Sequence, residues 1–446
     1  MNKTVKTNYG RISGIGMKGY TVYRGIPYAQ APTGELRWKR PVAVEPWDGE
    51  YRADMFRSMC PQRLADPETP WGAGYHKEFY ADPKYIPPMS EDCLYLNLWV
   101  PDCADEHSAL PVAFYIHGGG FAGGYGSEME FDGEAFCRKN VILVTINYRT
   151  GIFGFLAHPW LDAENEEGIS GNYGTLDQIA ALTWVYENIA FFGGDPHNIT
   201  VFGQSAGSMS TQVLISSALS KKMIAKAILQ SGISCTGDIL YAPTLEEEED
   251  IGRDFAQIAG ASSLDELRQI SWEGLLEYKD RLDHSCMMKL NDPLVLVPNA
   301  DGYVLEKTVK EIWKEGGMAS IPTMAGVTLE DLGSTPEQVR KGEFGPLLDE
   351  CRRWSFQCQE SHQIPSYLYT FAHALPGDEW GANAFHSSEL WYVMGTLGRC
   401  WRPMEQADYD LSEEMVTAWT NFMKTGKPEP NWEPCTRENP YIRAFR

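Results

Sequence analysis

The order of apolar and polar residues between positions 109 and 203 predicts buried strands alternating with amphipathic helices. Short apolar runs occupy residues 111–116, 141–146 and 198–203, which is typical of strands covered on both faces of a sheet. Between the last two runs, apolar residues recur at helical spacing over residues 175–189. This alternation of strands and helices predicts an α/β fold, in which a mostly parallel, twisted sheet has helices on both faces.

Further elements are predicted from caps and apolar runs. Thr244 is placed to cap a helix whose first turn is acidic, which suits the positive end of the helix dipole. No internal repeat or Pro/Ser-rich linker divides the chain, so we expect one domain over residues 1–446, although the length alone would allow about three. The expected helices cover residues 209–219, 245–258 and 411–424, and the expected strands cover residues 321–326 and 367–371.

Composition and charge restrict the class of protein. Hydrophobic residues make up 43% of the chain and charged residues 22%, which is enough to bury a large core and excludes a disordered or collagen-like chain. Acidic residues outnumber basic residues by 61 to 38, giving a net charge of −23. Such a surface repels phosphate backbones and anionic lipids, so we expect neither a nucleic-acid nor a membrane partner.

The N-terminal segment and the cysteines bear on the compartment. Residues 1–10 lack the apolar core of a secretory signal peptide. None of the ten cysteines forms a CxxC pair, and no set of cysteines and histidines has the spacing of a zinc site. We therefore expect buried free thiols in a reducing cytoplasm, with secretion left open if the sequence is a mature form.

One motif marks a candidate nucleophile. Residues 203–207 match G-x-S-x-G, with an apolar run before the motif and a helix-compatible run after it. A strand-to-helix turn of this kind lifts the hydroxyl of Ser205 above the sheet, and it needs flanking glycines because a Cβ would collide with neighbouring backbone. The alternative for Ser205 is an ordinary helix N-cap. At the start of the helix, the N–H of Ala206 is free to stabilise an oxyanion.

A second glycine-rich segment follows the first predicted strand. Residues 117–121 read HGGGF and could form a simple turn, but backbone N–H groups without side chains can also approach a carbonyl oxygen. Each motif is weak alone. Because the two occur in the expected order, each directly after a strand, they together predict a serine nucleophile with an oxyanion hole.

Four further segments carry short motifs: YRGIPYA at residues 23–29, SEDCLYLN at 90–97, GNYGTLDQ at 171–178 and FGGDP at 192–196. Together with the two glycine motifs they resemble the type-B carboxylesterases, a family of α/β-hydrolases that includes cholinesterases, bacterial p-nitrobenzyl esterases and several lipases. The resemblance covers nearly the whole chain and implies the α/β-hydrolase fold and the hydrolysis of carboxylic esters.

The resemblance also implies a catalytic triad in the chain order serine, acid, histidine. The family's acid lies in a G-x-x-x-D/E-E-G pattern after a strand, and the matching stretch places it on Asp331, where most members carry glutamate. Glu330, one residue earlier, is the competing acid. The loop around His386 resembles the family's catalytic histidine loop, which implies that this residue, among nine histidines, is the base.

By the same resemblance, Gly119, Gly120 and Ala206 donate the oxyanion N–H groups, and His117 is a scaffold residue of their loop. The resemblance implies a small-molecule ester as substrate and no cofactor or metal, and we expect a monomer or a homodimer. Aromatic residues near the motifs are candidates for lining the pocket and would suit aromatic esters, such as feruloyl or other phenolic esters, besides small acyl esters: Phe121, Trp380, Trp391 and Tyr392.

We therefore expect a serine carboxylesterase in which His386 takes the proton of Ser205 and Asp331 orients the imidazole. One alternative is a non-catalytic binding module, as in members of the family that have lost the nucleophile. The other is an amidase or thioesterase that uses the same triad.

Two further expectations concern the pocket and the cysteines. Segments 234–320 and 332–385 are expected to contribute the cap and the pocket walls. Only 55 positions separate the acid from the histidine, which is short for the family and predicts a reduced helical cap over a more open, shallower site. Cys60 and Cys93 match positions that form a disulfide in secreted members, although members without secretion signals can carry both.

Overall fold

Two sheets, one large and one small, organise the chain. The computed structural model describes residues 3–237, 243–290, 295–377 and 383–446. Within these residues the large sheet has ten strands and the small sheet has three. In chain order the strands are β1 Thr4–Lys6, β2 Arg11–Ser13, β3 Ile15–Gly16, β4 Tyr20–Pro27, β5 Glu50–Arg52, β6 Tyr95–Pro101, β7 Leu110–Ile116, β8 Ile142–Ile146, β9 Gly194–Gln204, β10 Lys226–Gln230, β11 Thr323–Thr328, β12 Ser366–Phe371 and β13 Ile442–Phe445.

The large sheet has the strand order β13-β12-β11-β10-β9-β7-β8-β6-β4-β3. From β13 to β8 each strand is parallel to its neighbour, and β6, β4 and β3 continue the sheet with antiparallel pairing. In the small sheet, β2 pairs with β1 and β5. The prediction of a mostly parallel sheet is therefore confirmed.

The helices lie mainly between successive strands of the large sheet. They are α1 Pro70–Phe79, α2 Glu134–Arg138, α3 Gly151–Phe155, α4 Pro159–Asp162, α5 Tyr173–Asn188, α6 Ala206–Ser216, α7 Leu245–Ala259, α8 Leu264–Gln269, α9 Trp272–Leu290, α10 Val309–Lys314, α11 Pro336–Lys341, α12 Leu347–His362, α13 Leu390–Met394 and α14 Gln406–Thr425.

Alternate residues of the central strands belong to two separate cores. Within β7, Val112 and Phe114 pack in one core, whereas Ala113 and Tyr115 pack in the other. Because side chains alternate across a strand, these cores lie on opposite faces of the sheet. The first core contains side chains of α5, α6 and α12, and the second contains side chains of α2 and α14. Helices therefore cover both faces.

The predicted elements are present, but several of their ends differ. Strand β9 begins at Gly194, earlier than expected, because Gly194 already pairs with Leu110 of β7. Helix α6 begins at Ala206, directly after the serine of the G-x-S-x-G motif. Helix α7 begins where Thr244 caps it, and Glu247 completes a capping box that strengthens this end. Sheet pairing and side-chain caps thus set boundaries that the apolar pattern alone does not define.

The residues predicted to form the site follow different strands at one edge of the large sheet. Gly119 follows β7, Ser205 follows β9, Asp331 follows β11 and His386 follows β12; Ser231, which the sequence analysis did not predict, follows β10. Because these strands are parallel neighbours, their carboxyl ends lie side by side, which is where parallel α/β sheets place ligand sites. Between β11 and β12 the chain forms the two helices α11 and α12, and α12 packs on these same strands.

Candidate active site

Ser205 lies at a sharp turn between β9 and α6. Its backbone has φ 56° and ψ −125°, a conformation that non-glycine residues rarely adopt and that costs of order 1–3 kcal/mol. Its N–H donates to Gln230 O at 2.8 Å, and its carbonyl accepts from the N–H groups of Ser208 and Met209. The side chain makes no capping hydrogen bond, so Ser205 is not an ordinary N-cap.

The flanking glycines of this turn are required by close backbone contacts. A Cβ at Gly207 would lie 2.0 Å from the carbonyl oxygen of Ile116, and a Cβ at Gly203 would lie 2.4 Å from the carbonyl carbon of Gly207. Real Cβ atoms do not approach backbone this closely. The first helical turn of α6 is therefore packed directly against the end of β7, from which the glycine-rich loop begins.

The glycine-rich loop turns back toward Ser205 through two residues with positive φ, Gly119 at 105° and Gly120 at 61°. Within the described residues, no hydrogen bond uses the N–H of Gly119, Gly120 or Ala206 as a donor. All three residues line the same cavity as Ser205. Their N–H groups are therefore available to an oxygen atom bound beside the serine.

Asp331 and His386 form a direct hydrogen bond. His386 Nδ1 lies 2.7 Å from Asp331 Oδ1. The other carboxylate oxygen accepts from Ser231 Oγ at 2.6 Å and from the N–H of Thr328 at 2.9 Å, so it is fixed on two sides. The side chain of Glu330 is exposed, and its backbone contacts the histidine loop: its N–H donates to Ala384 O at 2.8 Å, and its carbonyl accepts from His386 N–H at 3.0 Å.

The serine hydroxyl and the imidazole are not hydrogen-bonded to each other here. Ser205 Oγ has no hydrogen-bond partner among the residues that the structure describes, and His386 Nε2 lies 3.2 Å from Nε2 of Gln204. The imidazole nitrogen that faces away from Asp331 is thus next to the residue that precedes the serine. Catalytic hydrogen bonds are often long before substrate binds, so this arrangement is compatible with a general base.

One cavity of about 460 Å³ joins these groups. Ser205, His386 and the glycine loop form one part of its wall. Other parts come from the segment around Leu64, from α1, and from the segment that follows the glycine loop. The side chains in those parts include Leu64, Tyr75, Tyr80, Phe121, Glu128, Glu130, Phe131, Met209, Ser231 and Leu332.

A family profile described as "Carboxylesterase family" matches residues 1–344 and 346–445. The chain belongs to the carboxylesterase family. It is 33% identical to a para-nitrobenzyl esterase of Bacillus subtilis over 97% of this chain and 92% of that protein. It is 37% identical to a fumonisin B1 esterase of Sphingopyxis macrogoltabida over 95% of this chain and 82% of that protein.

A solved structure of a thermophilic PNB esterase superposes on this carboxylesterase with a TM-score of 0.82 at 31% identity, covering 100% of this chain and 96% of that one. The sequence-based identification of the family and of the α/β-hydrolase fold is therefore confirmed, and the protein is a carboxylic ester hydrolase. No helix in the described ranges is long and apolar enough to cross a membrane. In those ranges, too, no group of three or more His, Cys, Asp and Glu residues is arranged to hold a metal ion.

The electrostatics of the carboxylesterase site couple the acid to the histidine. Burial alone would raise the pKa of Asp331, but the charge of His386 and the hydrogen bonds that the carboxylate accepts outweigh burial and lower it. Burial alone would lower the pKa of His386, but the Asp331 charge and hydrogen bond raise it. Glu389 is a second buried acid whose charge is coupled to this pair: burial and the Asp331 charge raise its pKa to about 7.

The structure does not bring every predicted pocket residue to this cavity. Phe121 lines it, but Trp391 and Tyr392 do not, so the prediction that they face the substrate is wrong for this cavity. Both are fully buried, and their polar atoms point into the protein: Trp391 Nε1 donates to Glu78, and Tyr392 OH donates to Asp408. Trp380, the fourth aromatic candidate, lies outside the described residues.

The predicted scaffold role of His117 agrees with its surroundings. Its ring is fully buried and stacks on Tyr148 with the ring centroids 4.3 Å apart, and Nδ1 lies 2.9 Å from the Gly118 carbonyl. Burial lowers the pKa of His117 to about 4, which keeps the imidazole neutral at ordinary pH.

Sequence reasoning missed two groups of site residues. Ser231, which holds Asp331, lies 100 positions away in the chain, but its position directly after a buried strand is a signal that could have identified it. Glu128 and Glu130, which line the cavity, are acidic residues in a segment without a recognised motif. No local pattern distinguishes them from solvated surface carboxylates.

Proposed function

We propose that this carboxylesterase hydrolyses its substrate through an acyl-enzyme on Ser205. His386 accepts the serine proton as Oγ attacks the ester carbonyl, and it then protonates the departing alcohol. Asp331 holds Nδ1 of the imidazole and stabilises the imidazolium. The 2.7 Å contact between His386 and Asp331, beside the strained Ser205, is the observation that carries this proposal.

The oxyanion that forms on the carbonyl carbon is stabilised by three backbone N–H groups in this proposal. Gly119, Gly120 and Ala206 have N–H groups that remain available and that face the cavity beside Ser205. Removing one such donor in related chemistry lowers the rate on the order of 10²–10³-fold. The close packing of the glycine loop against α6 keeps the donors in place before substrate arrives.

The nucleophile is tested by Ser205→Ala. We expect hydrolysis of p-nitrophenyl butyrate to fall to background, while circular dichroism and the thermal unfolding midpoint stay close to those of the parent protein. Ser208→Ala, which removes a hydroxyl one turn along α6, is the matched control. Retained hydrolysis in the Ser205 variant would contradict the assignment.

A covalent probe separates the enzyme from a binding module of the same fold. A fluorophosphonate should label the parent protein and leave the Ser205→Ala variant unlabelled. A folded parent protein that does not react would favour the binding module. Turnover of matched ester, amide and thioester substrates then distinguishes an esterase from an amidase or thioesterase.

We propose small acyl or aromatic esters, including phenolic esters, as substrates. Tyr75, Tyr80, Phe121 and Phe131 give the cavity aromatic walls, which supports an aromatic group on one side of the ester. One relative is named for para-nitrobenzyl esters, which are also aromatic. The proposal predicts a higher kcat/KM for benzyl and feruloyl esters than for ethyl esters of the same acid.

We also propose that segments 234–320 and 332–385 form pocket walls of a single domain covering residues 1–446. Leu332 lines the cavity with the serine, which supports the second segment. Val297 lines a smaller apolar cavity that shares Phe121 and Met209 with the first, which supports the first segment.

The cytoplasm remains our proposal for the compartment. All ten cysteines are free thiols, including Cys60 and Cys93, which are buried next to each other. A hydrogen bond with Cys60 and burial raise the pKa of the Cys93 thiol well above its usual value, which keeps it protonated and unreactive. Thiol titration of denatured protein prepared without reductant tests this proposal, because ten reactive groups are expected and eight would indicate a disulfide.

A further inference from the structure

One buried side chain, Gln62, is hydrogen-bonded to the residues that follow the glycine-rich loop and has no part in the mechanism above. Its Oε1 accepts from the N–H of Gly124 at 2.6 Å, and its Nε2 donates to the carbonyl of the same residue at 3.1 Å. Nε2 also donates to Cys60 O at 3.1 Å. The side chain is only 2% exposed, and a buried amide with three hydrogen bonds is fixed in one orientation. Gln62 therefore fixes the backbone of Gly124 through both of its polar groups.

Gly124 and the residue before it pack directly on the start of the loop. A Cβ at Gly124, whose φ is 99°, would lie 2.5 Å from the carbonyl oxygen of Gly118. That carbonyl accepts from Nδ1 of His117 at 2.9 Å. A Cβ at Gly119 would lie 2.4 Å from the carbonyl oxygen of Gly123. Backbone atoms touch so closely here that a shift of Gly124 has to move the start of the loop as well.

The carbonyl groups at the start of the loop fix the directions of two proposed oxyanion donors. In a trans peptide unit the C=O and the following N–H point in opposite directions. The Gly118 carbonyl therefore sets the direction of the Gly119 N–H, and the Gly119 carbonyl sets that of Gly120. The Gly119 carbonyl accepts from the N–H groups of Ala122 at 3.0 Å and Gly123 at 3.1 Å, so its own direction depends on the segment that Gln62 holds.

We propose that Gln62 is a positioning residue of the oxyanion hole. By holding Gly124, it keeps the loop closed and directs the N–H groups of Gly119 and Gly120 toward the cavity beside Ser205. The amide nitrogen of Gln62 already donates to two carbonyls, so the side chain acts through the loop and not on the substrate. The inference rests on the proposed function, of which these oxyanion donors are a part.

Two substitutions disturb this contact from opposite sides. Gln62→Met keeps roughly the volume of the side chain and removes its three hydrogen bonds. Gly123→Ala places a Cβ 2.5 Å from Gln62 Oε1 and serves as the second variant if the first does not fold. In either variant we expect kcat for p-nitrophenyl butyrate to fall about 10- to 100-fold and KM to change less than about threefold. The donors act mainly on the oxyanion of the transition state, which accounts for this difference.

A pair of inhibitors tests the oxyanion hole more directly. An alkyl trifluoromethyl ketone takes Ser205 Oγ onto its carbonyl carbon while the serine proton passes to His386. The carbonyl electron pair then stays on oxygen as an oxyanion. The matching methyl ketone binds without this addition. In Gln62→Met we expect the Ki of the trifluoromethyl ketone to rise by about the factor by which kcat/KM falls, and the Ki of the methyl ketone to change less than about twofold.

Gln212 is the matched control because it makes the same two-point contact on a different loop. Its Nε2 donates to Ser234 O at 2.8 Å, its Oε1 accepts from Ser234 N–H at 3.1 Å, and it is also 2% exposed. Gln212→Met should lower the thermal unfolding midpoint about as much as Gln62→Met does, but it should keep the parent ratio of the two Ki values. An equal change of this ratio in both variants would show that Gln62 has only a structural role.

Hydrogen exchange, followed by mass spectrometry, separates the positioning role from the proposed function because it requires no catalysis. We expect amides of residues 119–126 to exchange about tenfold faster in Gln62→Met than in the parent protein or in Gln212→Met. A parent protein that neither hydrolyses esters nor binds the trifluoromethyl ketone would contradict the proposed function, and exchange would still decide the role of Gln62. Unchanged exchange at residues 119–126, or parent values of kcat and of the Ki ratio, in whichever variant folds would overturn the inference.

Discussion

Asp331 accepts hydrogen bonds from several groups besides His386, and these bonds fix the orientation of its carboxylate. Ser231 Oγ and Thr328 N–H donate to one carboxylate oxygen, and the other accepts from Leu332 N–H at 2.8 Å and from His386 Nδ1 at 2.7 Å. We expect Asp331→Asn to lower kcat by roughly 10³–10⁴-fold, because the amide can stabilise the wrong imidazole tautomer and carries no charge. Steady-state kinetics on p-nitrophenyl butyrate measure this loss.

The neighbouring acid provides the control for that experiment. The side chain of Glu330 is exposed, so Glu330→Gln should change kcat by no more than about twofold. Similar, mild losses in the two variants would mean that neither residue is the acid of the triad.

The raised pKa of His386 sets the acid limit of activity. The base works only when the imidazole is neutral, and the Asp331 charge raises its pKa above the usual 6.5. We expect kcat/KM to fall as the pH decreases, with a midpoint above 6.5, and we expect the midpoint to be lower in Asp331→Asn, whose residual rate remains measurable at high enzyme concentration. A midpoint at or below 6.5 in the parent protein would contradict the coupling.

Residue identities could be predicted from the sequence only where a local pattern carries them. Ser205 and the glycine loop stand in short motifs, and His386 and Asp331 lie in stretches that resemble the family's. Ser231 could not be found in this way, because its role depends on β10 and β11 being neighbours, which is a property of the sheet. Trp391 was misplaced because nearness in sequence to a catalytic residue does not fix the direction of a side chain inside a helix.

At the scale of elements, the turn between β9 and α6 depends on contact between backbones. Gly207→Ala would place a methyl group 2.0 Å from the carbonyl oxygen of Ile116, at the base of the glycine loop. We expect a loss of at least about 1–3 kcal/mol in stability, together with strongly reduced activity, because the loop must shift. Thermal unfolding and esterase assays measure both effects.

A glycine in open space is the matched control for this substitution. A Cβ at Gly398 would have no heavy atom within 4 Å, so Gly398→Ala should leave activity and the unfolding midpoint nearly unchanged. An unfolding midpoint that shifts equally in both variants would show that the contact with Ile116 does not set the turn.

Element positions followed well from the periodicity of the sequence, whereas their ends did not. The start of α7 was predictable because Thr244 and Glu247 form a local capping box. The start of β9 was not, because pairing with Leu110, far away in the chain, extends the strand to Gly194. Hydrogen bonds between residues far apart in the chain produce no periodic pattern in the sequence, so the ends of a strand that depend on them cannot be predicted from that pattern.

At the scale of the whole molecule, one buried ion pair connects distant parts of the chain. Glu78 of α1 pairs with Arg402 at 3.0 Å, and both side chains are fully buried. Glu78 also accepts hydrogen bonds from the indole N–H groups of Trp391 and Trp401. We expect Glu78→Gln to destabilise the protein by about 3–5 kcal/mol, because it leaves a buried guanidinium without its counter-charge.

The exposed pair Glu134–Arg138 controls for this effect. It lies in solvent within one helix, so Glu134→Gln should cost no more than about 1 kcal/mol. Guanidinium-induced unfolding measures the free energy of unfolding of both variants. Equal losses of stability would show that burial of the Glu78–Arg402 pair does not contribute to stability.

The placement of the site on loops after successive parallel strands has a consequence for how the protein refolds. Gln204 and His386 are 182 positions apart, and Ser231 and Asp331 are 100 positions apart. Contacts between residues so far apart in the chain form late in folding. Bringing the two segments together costs conformational entropy until the intervening strands have paired. Helical circular dichroism should therefore recover before esterase activity does after dilution from denaturant, and catalysis should report the last step of assembly.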